Sequence, residues 1–71
     1  MSKKLGEKVK EIRKKEKMSQ QEFAESLGYT SKSTINKIEE GINDMSYDKL
    51  ILLIQKYGLS LGDLLENDRK K

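Results

Sequence analysis

Ser19-Gln20-Gln21-Glu22-Phe23-Ala24-Glu25-Ser26-Leu27-Gly28 runs through Tyr29-Thr30-Ser31 into Lys32-Ser33-Thr34-Ile35-Asn36-Lys37-Ile38-Glu39-Glu40-Gly41. Ser19 with Glu22 three residues on has the form of a capping box, in which a hydroxyl and a carboxylate satisfy N–H groups left over at a helix start. A helix is therefore expected from Gln20, with Phe23, Ala24 and Leu27 facing inward. Gly28 stops it, because glycine tolerates the positive φ that closes a helix. Thr30 or Ser31 then caps a second helix. Its Ile35, Ile38 and Glu39 share one face, while Lys32, Ser33, Asn36, Lys37 and Glu40 lie on or near the other. Gly41 ends it.

Outward from this pair, the same signals recur. Leu5, Val9 and Ile12 repeat at helical spacing, predicting a helix over about 3–17 with Ser2 as its cap and Met18 closing the apolar side. After a loop at 42–45, Ser46 caps a helix with Asp48 in its favourable first turn. Leu50, Leu53, Ile54 and Tyr57 form its core face. Ile51 and Leu52 widen that stripe, and one of them is expected to be spare for a partner. Gly58 stops this helix. Ser60 with Asp63 starts a short fifth one, with Leu61, Leu64 and Leu65 completing the core. No alternating strand pattern, repeat or low-complexity segment is visible. The expectation is an all-α, five-helix bundle. It forms one domain over 1–68, followed by a short basic tail, Arg69-Lys70-Lys71.

Composition narrows the function. The chain has 71 residues, enough for one small domain with a thin core. It has no cysteine and no histidine, which removes disulfides, thiolate metal sites and the commonest general base. No convergent catalytic set is visible among the remaining carboxylates and lysines, so no enzyme, cofactor or metal site is expected. The longest apolar run, 50–54, is far short of the roughly 20 residues a bilayer requires. Met1-Ser2-Lys3-Lys4-Leu5 leads into charge rather than an apolar signal region. A cytoplasmic protein with no membrane partner is expected. The net charge is +3 and the pI about 9.2. Residues 1–37 hold ten basic and five acidic side chains, whereas 38–68 hold two and seven, so the positive field belongs to the first half.

Two short helices joined by a glycine turn, the second apolar inside and polar-basic outside, are what a helix-turn-helix requires. The stretches Met18–Gly28, Ser33–Gly41 and Tyr57-Gly58-Leu59-Ser60-Leu61-Gly62-Asp63-Leu64-Leu65 together resemble the Cro/repressor-type helix-turn-helix family, often called XRE. The resemblance covers residues 5–66. It implies a λ-repressor-like bundle that binds a double-stranded DNA operator, as a transcriptional regulator and a repressor, in the form of a homodimer at least on DNA. It also implies that Gln20 holds a DNA phosphate, that Ser31, Lys32 and Ser33 open the recognition helix, and that Asn36 and Lys37 continue its exposed face. Arg13 matches a family arginine that pairs with Glu39 and ties the first helix to the recognition helix. Two departures stand out. Six residues separate Gly28 from Ile35 where the commonest pattern has five. The loop after Gly41 reads Ile42-Asn43-Asp44 where many relatives are basic, leaving Asn43 or main-chain N–H groups for phosphate contact.

Each of these residues also has an ordinary reading. Lys32 and Lys37 are solvated lysines unless this helix meets DNA, where lysine serves phosphate or guanine. Asn36 is a surface residue or pairs with adenine through both amide atoms. Gln20 is a helix-start residue or a neutral phosphate donor. Arg13 and Glu39 are lone charges or a partly buried bridge. A second function class, a protein-interaction module such as an antitoxin or antirepressor-partner domain, uses the same fold and suits the acidic second half.

Overall fold

The computed structural model describes residues 2–60 together with Gly62 and Leu64. Among them the fold is all helical. The helices are α1 (Ser2–Lys15), α2 (Gln20–Ser26), α3 (Lys32–Glu39) and α4 (Tyr47–Tyr57). Four helices are thus present among the described residues where five were expected. Of the fifth, Gly62 and Leu64 are helical, while Leu61, Asp63, Leu65, the boundary at 68 and the tail at 69–71 lie outside the described residues.

The apolar spacing becomes a single core. Leu5, Val9, Phe23, Ala24, Leu27, Ile35, Ile38 and Leu53 are essentially sealed from solvent, with Ile12, Leu50 and Leu64 beside them. Leu52, Ile54 and Tyr57 are half-buried and pack on this core. Met45, read from sequence as part of a loop, is buried as well. The Phe23 and Tyr57 rings stack with centroids 5.4 Å apart, joining α2 to α4.

All four helices end the same way. The N–H of Met18, Tyr29, Ile42 and Leu59 reaches back five residues to the carbonyl of Arg13, Ala24, Lys37 and Ile54 respectively. This is the closure that requires a left-handed residue just past the helix. Gly28, Gly41 and Gly58 supply it in three cases, and Lys17, at φ 58°, in the fourth. That left-handed turn is why α1 stops at Lys15 and not at Lys17 as its apolar pattern suggests. At the other end Ser2 is the first helical residue and not a cap. The first turn there is pinned, since a Cβ on Gly41 would lie 3.2 Å from the Lys3 Cα.

Gly6 is the most tightly confined of the glycines. A Cβ there would collide with the Ile38 carbonyl oxygen and stand 2.7 Å from that of Glu39. The absence of a side chain lets α1 lie directly on the C-terminal turn of α3. In this way α1 and α2 both pack on α3 and fix its position.

Candidate nucleic-acid interface

The start of α2 is set by Ser19. Its hydroxyl accepts from the Glu22 N–H at 3.0 Å and the Glu22 carboxylate accepts from the Ser19 N–H at 2.9 Å, the reciprocal capping box that the spacing predicts. Ser31, rather than Thr30, caps α3, accepting from the Ser33 N–H at 3.1 Å, with the two hydroxyls 3.0 Å apart. The turn between the helices is Tyr29–Ser31. Two side chains that look like solvated surface in the sequence hold it. The Gln21 amide oxygen accepts from the Lys32 N–H at 3.1 Å, so α2 grips the first residue of α3. The Lys49 ammonium donates to the Leu27 carbonyl at 2.8 Å and sits 4.9 Å from the Tyr29 ring centre, closing the end of α2 from α4. Burial raises the Tyr29 hydroxyl pKa above its ordinary value of 10.0.

With its inner face sealed by Ile35 and Ile38, α3 turns Lys32, Ser33 and Lys37 to solvent. Asn36 and Ser31 beside them are half-buried. Asn43 is exposed, its N–H donating to the Lys37 carbonyl at 3.2 Å, so the loop folds back on the end of α3. Ile42 in that loop and Tyr47 at the start of α4 are large apolar side chains left exposed.

Behind this face lies a polar network. The Arg13 Nε donates to Glu39 Oε2 at 2.6 Å, its Nη2 to Glu39 Oε1 at 3.1 Å and its Nη1 to the Met18 carbonyl at 3.1 Å. The two side chains are 13% and 4% exposed, so the fork is largely out of water. The hydrogen bond to Glu39, and secondarily the attraction of its charge, raise the Arg13 pKa beyond its already high value, outweighing burial, which lowers it. Gln20 joins the same carboxylate. Its Nε2 donates to Glu39 Oε1 at 3.1 Å and to Asn36 Oδ1 at 3.3 Å. Both N–H groups of that amide are therefore spent within the protein, and a phosphate bond from it requires releasing one of them.

The structure thus brings Gln20, Asn36, Arg13 and Glu39 into one cluster and leaves Lys32, Ser33 and Lys37 exposed on α3, with half-buried Ser31 at its cap. Asn43, also exposed, lies in the loop after α3. Sequence reasoning missed Gln21, Lys49 and Gly6. The one signal available was a glycine inside an otherwise strong helix pattern, which marks close backbone approach.

Comparison with known proteins agrees with this architecture. The chain is similar to the antitoxin PezA of Streptococcus pneumoniae serotype 4 (strain ATCC BAA-334 / TIGR4), at 28% identity over 65 residues that make up 92% of this chain. It spans 40% of that antitoxin's length. No solved structure matches. The family model described as helix-turn-helix matches residues 9–64, which contain α2, the turn, α3 and α4. With that match over most of its length, the chain belongs to the XRE-type helix-turn-helix family, a DNA-binding type of domain.

Proposed function

We propose that the protein is a sequence-specific, double-stranded DNA-binding transcriptional regulator, acting as a repressor, that reads the major groove with α3. The observation that carries this reading is the outward ridge of α3. Ser33 and Lys37 stand one helical turn apart, beside exposed Lys32, while the opposite face is sealed into the core. The major groove admits a helix of this kind and offers a distinct pattern of donors and acceptors for each base pair. Lys32 and Lys37 supply the positive charge, Ser33 and Asn36 neutral polar contacts, and Asn43 and the cap at Ser31 approach the flanking phosphates. One such helix covers few base pairs, so a symmetric homodimer on DNA follows, with half-sites about one helical turn apart. A site of action in the cytoplasm, with no cofactor, completes the reading.

Selection of bound duplexes from random DNA tests it. The expected result is enrichment of a two-fold-symmetric operator with half-sites spaced by about 10 base pairs. Failure to enrich any sequence would remove sequence-specific recognition from the account.

A second reading, a protein-interaction module in an antitoxin-type system, is favoured by the likeness to an antitoxin and by the acidic balance of residues 38–68. Binding of a protein partner, together with no salt-sensitive binding to any duplex, would put it first.

A further inference from the structure

We infer that Lys49, on α4, is a positioning residue for DNA recognition: its ammonium holds the turn between α2 and α3 and so fixes where the start of α3 meets the duplex. The inference rests on the DNA-binding reading above and adds to it a residue outside the helix-turn-helix pair. The root of the side chain is anchored. The Lys49 N–H donates to the Ser46 hydroxyl at 3.3 Å in the first turn of α4, and buried Leu50 follows directly. From there the ammonium crosses to α2 and donates to the Leu27 carbonyl at 2.8 Å. Charge explains the direction it takes. The first turn of a helix disfavours a cation and the last turn favours one. Lys49 begins in the first turn of α4 and delivers its charge to Leu27, the C-cap of α2.

The ammonium meets three consecutive residues. Beyond Leu27, a Cβ on Gly28 would lie 2.9 Å from the Lys49 nitrogen, so the charge rests against bare main chain. The same nitrogen is 4.9 Å from the ring centre of half-buried Tyr29. On the other side of the turn, the Gln21 amide oxygen accepts from the Lys32 N–H and Ser31 caps α3. Exposed Thr30 is the link between these two clasps. Fastening both sides gives Lys32 and Ser33 one place before DNA arrives, and the entropy of ordering the turn is lost in folding rather than on binding. Lys49 thus acts within the protein and not on phosphate, which separates it from Lys32 and Lys37.

Lys49→Met and Lys49→Arg test this, at a temperature where far-ultraviolet circular dichroism shows both folded. Methionine keeps much of the stem and removes the donor. Arginine restores a charged donor that also stacks on aromatic rings. On the selected operator, Lys49→Met should bind about tenfold more weakly, because the turn must then be ordered on binding. It should bind scrambled DNA within about twofold of the parent, with an unchanged salt slope on both duplexes. Lys49→Arg should recover most of the operator affinity. In the free protein, hydrogen exchange at the Lys32 and Ser33 amides should quicken in Lys49→Met relative to the amides of α1, and slow again in Lys49→Arg. A slope lower by about 0.9 would make Lys49 a phosphate contact and overturn the inference. Unchanged operator affinity in Lys49→Met, an equal loss on both duplexes, or no recovery in Lys49→Arg would overturn it as well. If the parent binds no duplex, the DNA-binding reading fails and takes the recognition role with it. Hydrogen exchange then still decides whether Lys49 holds the turn, and exchange at Lys32 and Ser33 matching the parent's would show that it does not.

Discussion

Arg13→Ala removes the cation that holds α1 to α3, and its cost can be worked from the geometry. Three hydrogen bonds disappear, two to Glu39 and one to the Met18 carbonyl. Glu39, with its side chain 4% exposed, keeps the Gln20 amide as a remaining donor but loses its counter-charge. Breaking a buried pair by deleting one partner costs about 3–5 kcal/mol, because the surviving charge is left desolvated and uncompensated. The Arg13 side chain retains some solvent access, which places the expected loss at the lower end, about 3 kcal/mol. A chain of this size has a total stability of roughly 4–10 kcal/mol, so the variant should be close to half unfolded at modest denaturant. Glu39→Ala should cost slightly less, since a longer arginine reaches water more easily than the carboxylate does. The two losses should not add. A double variant carrying Arg13→Met and Glu39→Leu leaves no charge unpaired and should recover most of the stability. Urea unfolding followed by far-ultraviolet circular dichroism measures all of these, with an unchanged denaturant slope showing that stability alone has moved. Strict additivity, within about 0.5 kcal/mol, would mean that the fork contributes nothing as a pair.

Two further substitutions probe the backbone. Gly6→Ala should destabilise by about 1–3 kcal/mol although alanine is the better helix former, because its Cβ meets main-chain carbonyls of Ile38 and Glu39 that cannot rotate away; equal or greater stability in the same urea assay would show that α1 does not lie this close to α3. Lys17→Gly should stabilise by up to about 1 kcal/mol, because the residue sits at φ 58° in a left-handed closure that glycine occupies without penalty; a lower thermal midpoint would contradict that geometry.

Much of this was legible in the residues. Serines at 19 and 46 announced helix starts, the α3 cap was shared between Thr30 and Ser31, Ser2 is a helical residue and not the cap its position suggested, and three glycines, at 28, 41 and 58, announced ends, because caps act within a few residues of sequence. The core followed from spacing for the same local reason. What escaped had distant causes. Lys17 closes α1 with no glycine to signal it. Met45 is buried in the core although it lies in the loop between α3 and α4, where no helical spacing marks it. Gln21 and Lys49 look like ordinary surface residues, and their partners lie 11 and 22 residues away. The candidate site divides similarly. The outward ridge of Lys32, Ser33 and Lys37 follows from helical period, whereas the inward commitment of Gln20 depends on how closely α2 approaches α3.

The central claim is that the ridge of α3 reads DNA, and the most direct measurement is a binding titration against salt, on the selected operator and on a scrambled duplex. The parent, Lys32→Ala and Lys37→Ala would be compared. The account predicts that the parent prefers the operator by at least about a thousandfold. Each lysine variant should either lower the slope of log K against log salt by about 0.9 per contact, marking a phosphate, or lose preference at one guanine, marking a base. If both variants bind both duplexes as the parent does, α3 is not the reading helix and the account is wrong at its centre.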